Sequence, residues 1–577
     1  MTKSKLFLSL LMAGAVVGTA SAQSLKDAQA AMDAEQYDKA KSILQNLVEK
    51  KAKDGENYFY LGQIYLINEK ADSAAIIFNN GLTNAPKEQL NNVGLGIVDL
   101  KKGNASAAES KFATATATLG KKDYLPLYYI GRAYIDAPKP DYAKAVDYLT
   151  QAKAKNAKDA LIPVALGDAY IGMGQRSSEA YVAYRDALNI DPNLVKAKVQ
   201  QALITRRAFA FDEALEQYNT IVAEYPNYGP VYREIAETQL QIAKRMPDNT
   251  DEEKTAYEAQ VAKAVDSYKK YLQVTGDMSP EANVRYADFL VYGQKYDELK
   301  TVAEKLANVP GVDAKVFRYL GLIAVNQDKD YTKGVEYFGK LFANAEANRL
   351  IDIDYLFSGL AYIETGDLAK GLPNLQKALE MNPEMMAEIG SAGMVAFNQG
   401  KYDVAAGIFN IPAQKAGTDF YYEANQFLGM ANFRAGTAKK GKEEDATKEF
   451  NDAIKAFDVI IKSNDQKVYD EYLVQALYMT GYSNMNLDVV NPETPELTKG
   501  LFVPAFDQLI KVLKDKEAAG TTLDEDQITK IVEAYNNVGY FHLLKGDNAK
   551  ALPYFENALK YSPEDETAKA YLDYLKS

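Results

Sequence analysis

The sequence lacks cysteine and tryptophan and contains a single histidine, His542, among its 577 residues. Without cysteine there can be no disulfide and no attachment through a lipidated N-terminal cysteine. With one histidine and no thiol, a single chain cannot assemble a zinc site from nitrogen and sulfur ligands or a Cys–His catalytic pair. Most hydrolase constellations are therefore excluded, and packing alone must stabilise the fold.

Positive charge is also scarce, because 66 Lys and Arg face 79 Asp and Glu, for a formal net charge of −13. A negative surface disfavours contact with phosphate backbones and anionic lipids. We therefore expect no nucleic-acid partner.

Long apolar runs are missing except near the start of the chain. Lys3 and Lys5 precede a mostly apolar run over residues 6–17, which small residues over 20–22 follow. This pattern predicts a signal peptide, residues 1–22, cleaved after Ala22. No other segment approaches 18 uninterrupted apolar residues. We expect a soluble periplasmic or extracellular protein with no transmembrane segment after cleavage.

A small residue recurs along the whole chain, usually just after an apolar one. The recurring residues are Ala28, Gly62, Gly96, Gly131, Gly167, Ala202, Ala236, Ala287, Gly321, Gly359, Gly393, Gly429, Gly481 and Gly539. Several intervals between these markers, such as Ala28 to Gly62 and Gly359 to Gly393, are 34 residues. A period of this length is typical of an array of helical repeats.

The unit from Gly55 to Glu88 illustrates the pattern. Its conspicuous positions are Leu61, Gly62 and Tyr65 on a first helix, Ala74, Phe78 and Gly81 on a second, and Pro86 after it. Small residues at Gly62 and Ala74 let the two helices approach closely, and the large residues fill the space around the contact. The spacing predicts an antiparallel helix hairpin ended by Pro86.

These residues resemble the tetratricopeptide repeat in type and spacing, and similar units recur around Gly131, Gly167, Gly359 and Gly539. The resemblance covers nearly the whole sequence after residue 22. It implies an all-α fold, a right-handed α-solenoid superhelix of about fourteen antiparallel helix pairs. We expect repeats 1–7 over residues 23–275, repeats 8–14 over 276–563 and a capping helix over 564–577.

Three repeats are longer than the rest, with insertions around residues 246–258, 436–449 and 486–503. We expect each insertion to lie between the two helices of its pair. Insertions of this kind can be tolerated surface elaborations or a binding platform along one edge of the solenoid.

In this family the first helix of each pair lines the concave surface. The residues four positions after the markers are almost all apolar: Met32, Leu66, Leu100, Ile135, Ile171, Arg206, Leu240, Val291, Val325, Ile363, Phe397, Phe433, Met485 and Leu543. If partly exposed, this row can bind an extended peptide or an amphipathic helix. If buried, it packs neighbouring hairpins.

Basic residues on the same helices provide a second set of candidates. The candidates that can pair with carboxylates of a ligand, or can lay their stems along the helix surface, are Arg132, Arg206, Arg207, Arg233 and Arg318. His542 stands where other units have tyrosine, which predicts a packing role. Part of a phosphate-binding loop is matched in spacing by Gly436, Gly441 and Lys442. Glu443, however, stands where a Ser or Thr would hold magnesium.

These observations predict a non-catalytic, exported scaffold or adaptor that binds protein or peptide partners in the bacterial cell envelope. We expect no enzyme activity, no cofactor and no metal. An alternative is an accessory factor for polysaccharide or protein export that binds glycan or an extended polypeptide, although nothing in the sequence supports a glycan directly. A carboxylate-based glycoside hydrolase is a remote alternative.

Overall fold

The computed structural model describes residues 24–68, 70–247, 249–418 and 420–576. The predicted signal peptide lies outside these residues. The described residues contain α-helices, short 3₁₀ and π-helical turns and no strands, which confirms the all-α class. The chain divides into two compact units, Met1–Val312 and Asp313–Ser577. This boundary falls one helix pair after residue 275, and the grouping of repeats into 23–275 and 276–563 stays a prediction.

The first unit contains sixteen helices among its described residues. They are α1 Leu25–Asp33, α2 Tyr37–Lys50, α3 Gly55–Ile67, α4 Ala71–Asn84, α5 Leu90–Lys101, α6 Ala105–Thr116, α7 Leu125–Ile135, α8 Tyr142–Lys155, α9 Leu161–Gly172, α10 Ser177–Ile190, α11 Val195–Arg207, α12 Phe211–Glu224, α13 Gly229–Ala243, α14 Asp251–Thr275, α15 Pro280–Tyr292 and α16 Tyr296–Leu306.

The second unit contains fourteen further helices among its described residues. They are α17 Lys315–Ile323, α18 Tyr331–Asn344, α19 Asp352–Glu364, α20 Leu368–Met381, α21 Met386–Asn398, α22 Tyr402–Phe409, α23 Tyr421–Lys440, α24 Thr447–Ile461, α25 Gln466–Glu471, α26 Leu473–Leu487, α27 Val503–Ala518, α28 Glu525–Leu544, α29 Asn548–Tyr561 and α30 Glu566–Lys576.

Every marker residue is buried on the first helix of a pair. A large side chain of the second helix packs against it, so that a Cβ built on Gly62 would lie 2.2 Å from Cε1 of Phe78. Gly96 meets Phe112 in the same way, and Gly539 meets Phe555. The recurring small residue is therefore the point of closest approach within each hairpin, and the predicted helix pairs are confirmed.

The three long repeats carry their extra residues between the two helices of a pair. Much of the first two insertions is helical, because α14 extends over 25 residues and α23 over 20. The third insertion is a loop that folds around Asp488, whose carboxylate accepts backbone N–H groups of Lys499 at 2.9 Å and Gly500 at 2.6 Å. Whether this edge binds a partner stays a prediction.

The predicted C-terminal cap is the helix α30. Its Ala568 and Leu572 are buried, and Tyr571 packs on Phe555 with ring centroids 5.0 Å apart. The opposite side of α30 is polar, as the end of a stack of repeats requires.

A contact between distant repeats closes part of the first unit. Oε2 of Glu35, in the turn between α1 and α2, lies 2.6 Å from Nη1 of Arg233 on α13 and accepts a hydrogen bond from the hydroxyl of Tyr271 on α14 at 2.9 Å. The amide of Gln36 donates to the carbonyl oxygens of Asn227 at 3.3 Å and Val274 at 3.4 Å. We call this contact the clasp.

The clasp joins the first helix pair to the seventh, so the first seven pairs form a closed ring. It depends on a close approach of two backbones, since a Cβ on Gly229 would lie 3.1 Å from the carbonyl oxygen of Ala34 and 2.2 Å from Cγ2 of Thr275. Glu35 itself has a left-handed backbone with φ of 58°. That conformation is uncommon for a residue with a side chain and directs the chain from α1 into α2.

A carboxyl group beside the clasp, that of Asp33, favours protonation. Burial raises the pKa of Asp33, although Lys196 and a hydrogen bond with Tyr228 oppose this. The folded state therefore binds a proton more tightly than the unfolded chain does. The contribution of Asp33 to the free energy of unfolding should rise as the pH falls through the raised pKa and fall as the pH rises.

Replacing Asp33 with asparagine should leave the protein at least as stable at pH 7 and reduce the pH dependence of its stability, because the amide cannot ionise. Denaturant unfolding at several pH values between about 4.5 and 7 measures this effect. Asp38→Asn, an exposed carboxylate on α2, is the matched control. A marked loss of stability in Asp33→Asn at pH 7 would contradict the assignment.

Candidate functional site

The first unit contains a groove of about 800 Å³ lined mainly by first helices. Residues of α1, α3, α5, α7 and α9 form its walls, with Lys196 of α11 at one end. Because successive first helices stack side by side, corresponding positions of neighbouring repeats lie in rows along the groove. The rows make an extended surface, which suits an extended ligand.

The predicted apolar row lies only partly in this groove. Met32, Leu66, Leu100 and the nearby Arg132 line it. Elsewhere the row is covered by packing: Leu240, Val325 and Ile363 are buried, as is Leu66, and the remaining members are half-buried, namely Met32, Leu100, Ile135, Ile171, Arg206, Val291, Phe397, Phe433, Met485 and Leu543. None of them is fully exposed, so the row as a whole packs neighbouring helices. Partner binding by the row stays a prediction.

Aromatic packing accounts for the two phenylalanines of the row in the second unit. Phe397 meets Tyr402 edge to face at 5.3 Å, and Phe433 meets Phe450 at 5.8 Å. Both contacts join the first and second helices of one pair. These rings therefore contribute to hairpin packing.

The open stripe of the groove is formed by neighbouring positions that the sequence analysis missed. Ile97 follows its marker by one residue, and Ile67 and Lys101 follow theirs by five. Positions one and five after the marker are separated by one helical turn and share a face. A search for apolar or charged residues at these two positions would have found the stripe. Ile67 is 41% exposed.

Tyrosines form part of the groove wall. The hydroxyl of Tyr129 donates to the hydroxyl of Tyr60 at 2.7 Å, and the hydroxyl of Tyr124 donates to Asp159 at 2.6 Å. Burial and the neighbouring carboxylate raise the pKa of Tyr124 to about 12. These hydroxyls are therefore neutral hydrogen-bonding groups on an otherwise aromatic wall.

The groove lining contains equal numbers of acidic and basic side chains, but they differ in whether they form ion pairs. Lys26 and Lys101 line the groove and form no ion pair with any described residue, whereas Lys196 lies near the carboxyl group of Asp33. Among the groove carboxylates, burial raises the pKa of Glu56, and Glu88 adds to the effect. The ammonium groups of Lys26 and Lys101 are thus charges that a carboxylate of a ligand can reach.

Four of the five predicted arginines are paired within the protein, and the fifth, Arg207, is exposed. The pairs are Arg132–Asp168 at 2.5 Å, Arg206–Glu234 at 3.1 Å, Arg233–Glu35 at 2.6 Å and Arg318–Asp354 at 2.6 Å. Three of these pairs link first helices of successive repeats, and the fourth belongs to the clasp. A ligand carboxylate would have to displace a carboxylate that each paired arginine already holds.

The remaining sequence motifs have structural explanations. The ring of His542 stacks on Tyr554 of α29 at 5.6 Å, and burial lowers the pKa of this histidine. Gly436 lies within α23, so the imitation of a phosphate-binding loop begins inside a helix. In the described part of the chain, no group of three or more Asp, Glu, His or Cys side chains is arranged to hold a metal ion.

Among the helices of the described residues, none is both long enough and apolar enough to cross a bilayer.

Comparison with protein families identifies three segments. Models of the tetratricopeptide repeat match residues 25–88, 355–385 and 532–565. The first segment covers α1 to α4, the second begins within α19, and the third covers most of α28 and α29. These segments include three of the units on which the sequence resemblance rested.

Solved structures with similar helical arrays include the C-terminal part of a TPR repeat-containing protein from Cytophaga hutchinsonii. It has 19% identity, a TM-score of 0.27 and alignment over 50% of this chain and 98% of that one. A tetratricopeptide repeat protein from Parabacteroides merdae has 18% identity, a TM-score of 0.29 and coverage of 46% and 94%. Yeast Tom70 has 14% identity, a TM-score of 0.27 and coverage of 71% and 95%. No curated protein sequence matches the chain.

Proteins built from these repeats generally bind other proteins and are typically non-catalytic scaffolds.

Proposed function

Since the chain is a tetratricopeptide-repeat protein, we propose that it is an exported, non-catalytic scaffold that binds a protein partner in the bacterial periplasm. The observation that carries the proposal is the groove of the first unit, with the exposed Ile67 and the ammonium groups of Lys26 and Lys101. Export rests on the sequence alone, through the pattern of residues 1–22.

The chemistry of the groove favours an extended polypeptide segment. Ile67 and Ile97 offer apolar contacts, and Tyr60 and Tyr129 offer rings with hydroxyls. Lys26 and Lys101, which form no ion pair, can each bind a carboxylate of the partner, at modest strength because they are solvent-accessible. We therefore expect a segment that combines apolar and acidic side chains.

Replacing Ile67 with glutamate tests the groove directly. A charge at this partly exposed position should oppose binding without disturbing the hairpin core. Affinity enrichment of the tagged protein from cross-linked source cells should lose its main partners in Ile67→Glu and keep them in the wild type. Ile76→Glu on α4 is the matched control, since Ile76 is 62% exposed and lies outside the groove. Recovery of the same proteins with the wild type, Ile67→Glu and Ile76→Glu would contradict binding in the groove.

Export has an independent test. Mass spectrometry of the protein purified from its source cell should give an N-terminus at Gln23, and fractionation should place it in the periplasm or medium. Recovery of the intact chain from Met1 in the cytoplasm would contradict the proposed location.

A further inference from the structure

A polar cleft of about 450 Å³ lies in the second unit between α22, α23 and α24. Its origin is a short second helix: α22 has eight residues, whereas α18 and α20 have fourteen. The missing six residues correspond to almost two helical turns. Because α22 ends early, a gap stays open beside α24, with α23 as its floor.

Three buried polar residues form the deepest part of the cleft. Asn425 and Asn432 on α23 are 3% and 9% exposed, and Glu449 on α24 is 6% exposed. The amide of Asn425 donates to the carbonyl oxygens of Tyr421 at 2.9 Å and Ala413 at 3.2 Å.

The amide of Asn432 is held in the same way, by donation to the carbonyl oxygen of Leu428 at 3.0 Å. Such bonds fix which end of each amide faces the backbone. The amide oxygens of Asn425 and Asn432 accept no hydrogen bond from the described part of the chain.

Glu449 adds a third acceptor without a partner. Its Oε1 accepts a hydrogen bond from Nζ of Lys439 at 2.7 Å, which holds the pKa of Glu449 below its ordinary value. Its Oε2 is buried and has no hydrogen-bond partner. A buried acceptor without a donor is unfavourable and uncommon in folded proteins. Oε2 of Glu449 is therefore a buried acceptor of the cleft that lacks a donor, whereas the amide oxygens of Asn425 and Asn432 are acceptors that solvent can reach.

One carboxylate of the lining forms no direct ion pair. Asp452 lies between Lys448 at 2.7 Å and Lys455 at 2.9 Å, and both lysines are mostly exposed. Asp403 on α22 lines the cleft, is exposed and forms no ion pair with a described residue, although Lys439 is near enough for the two charges to interact. A guanidinium can therefore form an ion pair with Asp403.

The cleft is polar at one end and apolar at the other. Glu449 lies beside Gly436, one turn after Asn432, since a Cβ on Gly436 would be 3.2 Å from Cβ of Glu449. Asp403 lies near Lys439 at the same end of the cleft, and its negative charge contributes to raising the pKa of Lys439. Towards the other end the lining includes Ala413, Leu428 and Ala456.

We propose that this cleft binds a guanidinium group, carried by an arginine side chain of a partner protein. A guanidinium has five N–H donors and no acceptor, so it complements the unpartnered Oε2 of Glu449 and the amide oxygens of Asn425 and Asn432. The aliphatic stem of arginine matches the apolar end. A lysine ammonium has fewer donors and no planar fork, and a sugar hydroxyl would bring further acceptors.

The cleft is separate from the groove of the first unit. Only the protein source of the arginine depends on the proposed scaffold function. The recognition of the guanidinium itself depends on the residues of α22, α23 and α24, and a small probe can test it.

Isothermal titration of the purified chain with N-acetyl-arginine methylamide measures this recognition. We expect saturable binding with a Kd on the order of 1 mM. The citrulline analogue has nearly the same shape but no charge and should bind at least about tenfold more weakly. Asp403→Asn should weaken binding of the arginine probe by about threefold, since Asp403 is exposed. Asp458→Asn is the control, because Asp458 is on α24 but pairs with Lys462 outside the cleft.

Equal binding of the arginine and citrulline probes would overturn the proposal, and so would equal losses in Asp403→Asn and Asp458→Asn. Guanidinium chloride that competes as well as the arginine probe would overturn the role of the side-chain stem and point to a small free cation. Thermal melts confirm that both variants remain folded. If Ile67→Glu loses protein partners while the arginine probe still binds, the groove and the cleft act independently. If the arginine probe does not bind but Ile67→Glu still loses its protein partners, the cleft proposal is wrong and the groove proposal stands.

Discussion

Replacing Gly359 with leucine is expected to lower the free energy of unfolding by about 1 to 3 kcal/mol, the range for overpacking a tight core. A Cβ at this position would lie 2.7 Å from Cδ2 of Leu375 and 3.0 Å from the backbone carbonyl oxygen of Gly371. The leucine side chain can shift, but the backbone of α20 cannot move without separating the hairpin. Urea unfolding measures the change, with the loss concentrated in the second unit.

A helical glycine in open space gives the matched control. Nothing lies within 4 Å of a Cβ built on Gly339 in α18. Alanine there should stabilise the helix by up to about 1 kcal/mol, through propensity alone. Equal stability of Gly359→Leu and the wild type would show that the marker glycine is not the point of close approach.

Removing the carboxylate of the clasp is expected to open the ring of the first unit. Glu35→Ala deprives Arg233 of its nearest carboxylate and Tyr271 of an acceptor, at a cost of about 1 to 3 kcal/mol for partly buried groups. The repeats of a solenoid contact mainly their neighbours, so the clasp is the contact that couples the first pair to the seventh. Hydrogen exchange should become faster in α1, α2 and the start of α13.

Glu49→Ala on α2 is the control for this substitution, because Glu49 is exposed. It should leave exchange in all three helices unchanged. Unchanged exchange in Glu35→Ala as well would mean that the clasp does not hold the first pair in solution.

The sequence was sufficient to predict the helix pairs because their determinants are local and repeated. Gly62 and Phe78 are 16 residues apart, and Gly539 and Phe555 repeat the same separation. A contact that recurs at constant spacing produces a visible period. The same reasoning found α30, whose apolar residues face the last repeat.

The clasp could not be predicted in this way. Glu35 and Arg233 are 198 residues apart, and the contact occurs once. Glu35 has a positive φ without being a glycine, so its residue type gives no indication of the turn. Only the accumulated rotation of seven helix pairs brings the two residues together.

The candidate groove was predicted in part. The row four residues after each marker includes Leu66, which proved to be buried, whereas the open stripe contains Ile67 beside it. One residue changes the direction of a helical side chain by about 100°. The marker fixes which residues are buried against the second helix, but the tilt between successive pairs decides which neighbouring position remains open.

Arg132 forms an ion pair with a residue of the next repeat. Arg132 and Asp168 occupy the same position, one residue after the marker, in consecutive repeats. Their side chains meet because first helices stack side by side. Comparing equivalent positions of neighbouring repeats predicts such ion pairs, whereas considering each repeat alone suggests an arginine open to a ligand.

Photo-crosslinking in the source cell tests the groove most directly. A photoreactive residue at Ile97, on the open stripe, should form a covalent adduct with a partner protein, and one at Ile76, outside the groove, should not. Adduct formation at Ile97 should also fail when Ile67 is replaced with glutamate in the same chain. Adducts of equal yield at Ile97 and Ile76, or none at Ile97, would contradict the assignment of the groove as the partner-binding surface.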